Sequence, residues 1–167
     1  MLAIEPLAEV VGNPEDFLLM GGSSFGFSLV AKPADVKLLL VEDMEDMRNI
    51  LRRLLTAMGY TKITVANNGE EAWTLMQTQR PDLVLCDWNM PKMSGRQLLN
   101  AVRADPQLSL IPFVMITGEN AATQVKSAVS GGVTDFIVKP FTAALLEQRL
   151  LHVLESAPLL SDPPTQA

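Results

Sequence analysis

Four short apolar runs in this 167-residue chain end in residues able to do chemistry. Val36–Val41 is followed by Glu42-Asp43, Leu83–Cys86 by Asp87, Ile111–Ile116 by Thr117, and Phe136–Val138 by Lys139-Pro140. If the runs are parallel strands, three carboxylates, a hydroxyl and an ammonium meet along one edge of a sheet. Carboxylates held together repel one another and hold their protons more tightly unless a cation lies between them. A hard divalent ion relieves that repulsion, and Mg2+ takes a few carboxylates together with water and phosphate oxygens. The set therefore suits Mg2+ and a phosphoryl group. Each member alone is ordinary: an acidic pair after a strand is commonly a helix cap, a lysine before proline a surface residue, a threonine before glycine a turn. Their conjunction at successive strand ends carries the reading.

The elements that must position these residues show in the spacing. The four runs and a fifth, Ile63–Ala66, are short, rich in Val, Ile and Leu, and do not alternate, as expected for strands covered on both faces. Between them, Met47, Ile50, Leu51, Leu54, Leu55 and Met58 recur at helical spacing ahead of Gly59. Helices are also expected over 69–78, 95–104 and 120–129, the last of these ended by Gly131-Gly132, and on the stripe Leu146, Leu150, Val153 and Leu154. Strands alternating with helices predict an α/β fold, a parallel sheet with helices on both faces. In such sheets ligands bind beyond the carboxyl ends of the strands, where the strand order reverses.

Composition sets outer bounds. With 48% hydrophobic and 19% charged residues the chain is globular and long enough to bury a core of its own. One cysteine, Cys86, and one histidine, His152, exclude a disulfide framework, a Cys-rich zinc site and a multi-His metal site. Cys86 ends an apolar run and reads as a buried small hydrophobe; His152 reads as a surface or half-buried residue. A net charge of −6 and a pI of about 4.7 argue against a nucleic-acid partner held by phosphate contacts. Glu5, Glu9, Glu15 and Asp16 precede the first basic residue, Lys32, which is the wrong charge for a signal or transit peptide. Gly21, Gly22 and Gly26 interrupt the apolar stretch too often for a membrane span. A cytoplasmic protein with no membrane partner is expected.

Residues 1–35 carry one lysine against five acids, a net −4, and read as an N-terminal extension, either flexible or docking. Asn13-Pro14-Glu15-Asp16 is a helix start within it. The domain is expected over 36–157, with 158–167 a tail too short for an output module.

Val41-Glu42-Asp43, Asp87-Trp88-Asn89-Met90-Pro91, Met93-Ser94-Gly95, Ile116-Thr117-Gly118-Glu119 and Val138-Lys139-Pro140-Phe141 resemble the signatures of response regulator receiver domains, in particular the single-domain, CheY-like chemotaxis subtype. The resemblance implies a flavodoxin-like doubly wound sheet of five strands in the order 2-1-3-4-5 with five helices. It implies Asp87 as phosphoacceptor for a sensor histidine kinase or a histidine phosphotransfer protein, and a cis bond before Pro140. It assigns the Mg2+ ligands to Glu42, Asp43, Asp87 and the Asn89 backbone carbonyl, and the phosphoryl contacts to Thr117 and Lys139. Thr117 and Phe136 would form the switch, and Asn89 and Glu119 would tune dephosphorylation. A downstream protein, such as a flagellar motor switch protein, would read the state. Three departures stand out: Glu42 for the commoner Asp, Gly118 for Ala, and Phe136 where motor-binding members carry Tyr.

Arg48, Arg52 and Arg53 are expected on the solvated side of the first helix, Trp88 partly exposed beside Asp87, and Trp73 packed. Two other functions use the same residues. One is an Mg2+-dependent phosphatase with Asp87 as nucleophile, which Asn89 disfavours because such enzymes place a second carboxylate there. The other is a receiver-shaped binding module that takes no phosphate, which the complete acidic, Thr and Lys set disfavours. A signalling protein rather than a turnover enzyme is the expectation, limited to self-catalysed phosphotransfer and slow autodephosphorylation.

Overall fold

The structure, a computed structural model, describes residues 31–118 and 121–156. The expectations placed on residues 1–30, on Glu119 and on 157–167 lie outside them. A 3-10 turn at Pro33–Asp35 leads into β1 (Lys37–Val41), α1 (Glu45–Ala57), β2 (Lys62–Ala66), α2 (Gly69–Thr78) and β3 (Leu83–Asp87). Then follow α3 (Gly95–Ala104), β4 (Phe113–Thr117), α4 (Ala121–Ser130), β5 (Asp135–Val138) and α5 (Ala143–Ser156).

Among the described residues the strands form one parallel sheet in the order β2-β1-β3-β4-β5. Strand side chains alternate between faces, and the apolar runs feed two separate layers. Leu38, Leu40, Leu83, Leu85, Val114 and Ile116 pack beneath Leu51 and Leu55 of α1 and Leu146, Leu150, Val153 and Leu154 of α5. Leu39, Val41, Val84, Cys86, Phe113 and Met115 pack beneath Ala72 and Met76 of α2 and Leu98, Leu99 and Val102 of α3. Every residue of β3 and β4 is buried, which is why their sequences show no polar alternation. Burial also pushes the Cys86 thiol up, consistent with a packing role.

Three local details differ from the sequence reading. β4 begins at Phe113 rather than Ile111, because Pro112 has no amide to donate; its carbonyl still accepts from Val84 N at 2.9 Å. Ile50, read as part of the α1 stripe, is 51% exposed, so the buried seam is narrower than the spacing implied. Arg48 is not on a solvated face with Arg52 and Arg53: it is half-buried and turned toward the loop before α1. His152 is exposed, and Trp73 packs against the second layer, as expected.

The strand order reverses between β1 and β3: one crossover leads from β1 outward to β2, the next returns past β1 to β3. The loops leaving β1 and β3 therefore diverge and open a crevice above the sheet. No described helix is long and apolar enough to cross a membrane.

Candidate functional site

Glu42 is the first residue beyond β1, held there by a bond from its amide to Ala66 O at 3.1 Å. Its side chain is fully buried. Oε1 accepts from Met44 N at 3.2 Å, while Oε2 has no hydrogen-bond partner among the described residues. Asp43, next in the chain, is half-buried. Asp87 ends β3 and is 6% exposed. One carboxylate oxygen from each of Glu42, Asp43 and Asp87 lies within 4.8 Å of the other two. At that spacing each pair of charges repels by about 3 kcal/mol for an effective dielectric constant near 20.

Among the described residues one cation lies within salt-bridge distance of this cluster: Lys139 Nζ, 3.1 Å from Asp87 Oδ1. Three carboxylates against one ammonium leave an uncompensated charge of two. Burial and charge both act on the proton affinities. Burial, reinforced by the Asp87 charge, pushes the Glu42 carboxyl up to about 7. Burial also raises Asp87, against the opposing effect of its bond to Lys139. Hard oxygen donors, a residual charge of two and an orphaned buried carboxylate oxygen together fit a divalent cation such as Mg2+.

Thr117 ends β4 and is fully buried, yet its Oγ1 has no partner among the described residues. A buried hydroxyl left unpaired costs free energy unless something arrives to use it. Lys139 N donates to Thr117 O at 2.7 Å, and the Lys139-Pro140 bond is cis. Phe136 pairs with Met115 and Val138 with Thr117 across β4 and β5, so Phe136 and Thr117 share a sheet face one step apart. Phe136 is half-buried against the second layer, and Trp88, also half-buried, joins the same layer. Asn89 is exposed in the loop leaving β3. The structure thus brings Glu42, Asp43, Asp87 and Lys139 together and sets Thr117 one register step beyond Asp87.

A match to the response regulator receiver domain spans residues 38–151. The chemotaxis protein CheY of Pseudomonas aeruginosa is 38% identical over 120 residues, which are 72% of this chain and 97% of that protein. The chain belongs to the response regulator receiver family. The crystal structure of the Vibrio cholerae chemotaxis regulator CheY4 superposes with a TM-score of 0.66 at 32% identity, covering 71% of this chain and 98% of that one. The receiver domain of a Pseudomonas aeruginosa sensor histidine kinase, described with a magnesium ion coordinated in its active-site cleft, superposes with a TM-score of 0.65 at 26% identity, covering 73% and 98%. This is a signalling family, not one of turnover enzymes.

Gly95 does more in this receiver domain than begin a helix. It opens α3 behind a capping box of Ser94 and Gln97, and its amide donates to Trp88 O at 2.9 Å. A Cβ there would lie 2.4 Å from Asp87 O and 2.8 Å from Met115 Sδ. The loop after the phosphoacceptor candidate can close onto it because residue 95 has no side chain. Sequence reasoning registered Gly95 only as part of a motif, since the close approach is tertiary. At Gly118, by contrast, no described atom lies within 4 Å of an added Cβ.

Proposed function

We propose that this receiver takes a phosphoryl group on Asp87 from a histidine kinase or histidine phosphotransfer protein, and that the acyl phosphate changes which protein it binds. The Asp87–Lys139 pair, flanked by the orphaned oxygens of Glu42 and Thr117, carries this reading. Glu42, Asp43 and Asp87, with the Asn89 backbone carbonyl, would hold Mg2+, which when bound neutralises charge on the carboxylates and on the transferring phosphoryl group. Asp87 attacks phosphorus; the P–O bond forms as the P–N bond to the donor imidazole breaks, and the electron pair leaves with the nitrogen. Lys139 and the Thr117 hydroxyl bind phosphoryl oxygens, so the chain contributes mainly position and charge.

The switch follows from the orphan hydroxyl. Once a phosphoryl oxygen offers Thr117 an acceptor, the residue moves toward it and leaves room for Phe136 on the same sheet face. Phe136 has no hydroxyl to present to a target, so the signal passes by shape alone. Asn89 and Glu119 would set how water reaches the acyl phosphate. The likeness to chemotaxis regulators supports a role in chemotaxis or a phosphorelay in the cytoplasm, with a target such as a flagellar motor switch protein. Asn89 stands two residues after Asp87, and its amide cannot serve as a general acid, which argues against turnover as a phosphatase.

Trp88 gives the test. Beryllofluoride, a phosphoryl mimic, is expected to change Trp88 fluorescence only when Mg2+ is present. A response without Mg2+, or rapid multiple-turnover hydrolysis of small phosphate esters, would overturn the proposal.

A further inference from the structure

Arg48 lies in the first turns of α1, and its Nη1 donates to two successive carbonyls, Glu42 O at 3.2 Å and Asp43 O at 3.4 Å. Those carbonyls belong to the two residues that supply the β1 side of the acidic cluster. The loop has little else to hold it. The N-cap of α1 is Met44, which makes no side-chain cap bond and is 62% exposed, where Ser, Thr, Asp or Asn would ordinarily anchor the turn. The Glu42 amide is tied to β2, and the Met44 amide reaches Glu42 Oε1, a carboxylate oxygen of the cluster itself. The Arg48 bonds fix the next two peptide planes from outside the cluster.

We infer that Arg48 is a positioning residue: it sets the direction in which Glu42 and Asp43 present their carboxylates to a divalent cation, without touching the cation or the phosphoryl group. The inference rests on the metal-holding part of the proposed function. The guanidinium is a rigid planar donor suited to the task, whereas an ammonium is a mobile point charge. The charge of Arg48 acts in the opposite sense to its geometry. A cation beside the cluster repels a second cation, so removing charge alone would tighten Mg2+ binding. The sign of the effect separates the two roles.

The test titrates Mg2+ into the parent, Arg48→Met and Arg48→Lys, with Trp88 fluorescence as readout and amide hydrogen exchange of residues 43–45 measured without metal. Loss of a group that orients metal ligands typically weakens binding by 10- to 100-fold. Arg48→Met is expected to bind Mg2+ about ten-fold more weakly, with Arg48→Lys, which keeps the charge but not the planar donor, also weaker than the parent, and exchange in the loop is expected to rise several-fold at an unchanged urea midpoint. Equal or tighter Mg2+ binding by Arg48→Met, or unchanged loop exchange, would overturn the inference. Should Arg48→Met lower the urea midpoint, Arg48→Lys at parental stability decides the metal comparison. A parent that binds no Mg2+ sinks the metal part of the proposed function instead, and loop exchange alone then judges Arg48.

Discussion

Lys139 Nζ sits 3.1 Å from Asp87 Oδ1, joining residues 52 positions apart in the chain. The ammonium is the one cation within salt-bridge distance of the acidic cluster among the described residues. It stands where a phosphoryl oxygen on Asp87 would need a counter-charge.

Lys139→Met removes that charge and keeps most of the stem. Deleting a single preorganised donor of this type costs roughly 10²- to 10³-fold in rate. Labelling by acetyl phosphate is expected to slow by at least roughly 10²-fold, while the far-ultraviolet circular dichroism stays parental. Labelling at the parental rate would remove Lys139 from the proposed chemistry.

Thr117→Val should separate stability from signalling. The Thr117 hydroxyl is buried without a partner among the described residues, and an unsatisfied buried group of this kind costs about 1–3 kcal/mol. The valine variant is therefore expected to be more stable than the parent in urea by about 1 kcal/mol without metal. It should also lose the beryllofluoride-dependent change at Trp88. A less stable variant would mean that the hydroxyl is already satisfied.

The raised Glu42 carboxyl gives a pH dependence of definite sign. Its ordinary value is 4.5 and its folded value about 7, so the folded state binds the extra proton between these limits. Glu42's contribution to metal-free stability is fully present below about 4.5 and is lost as pH rises toward 7, at a slope on the order of 1 kcal/mol per pH unit. Asp87, also raised, adds in the same direction. Saturating Mg2+ competes with the proton and should flatten or reverse the decline. Urea midpoints at several pH values, with and without Mg2+, check this; stability rising with pH in the metal-free protein would contradict it.

Two glycines beside the site should respond oppositely to alanine. Gly95→Ala forces a methyl to within 2.4 Å of the Asp87 carbonyl, so backbone must move. A loss of about 1–3 kcal/mol is expected, as for overpacking elsewhere, with slower labelling of Asp87. Gly118→Ala meets no described atom within 4 Å and should change stability by less than about 0.5 kcal/mol. Thermal or urea denaturation of the pair measures the contrast.

The sequence carried the fold because local signals agreed with the tertiary result. Runs such as Leu83–Cys86 lack alternation when both faces of a strand are covered, and helical spacing identified the buried stripe of α5 residue by residue. The acidic cluster was legible because parallel strands bring all their carboxyl ends to one edge. What spacing could not convey was direction and contact. Ile50 fits the helical period yet faces outward, since α1 buries a seam narrower than the period allows. Arg48 looks like one more surface arginine until the loop it reaches back to is placed. The need for glycine at 95 arises from a carbonyl eight positions away.

The central claim is that Asp87 takes the phosphoryl group, and phosphopeptide mapping after reaction with acetyl phosphate and Mg2+ tests it most directly. One base- and hydroxylamine-sensitive phosphoryl group per chain is expected, located at Asp87 and absent from Asp87→Asn. Undiminished labelling of Asp87→Asn, or a modification mapped to another residue of the parent, would contradict the account.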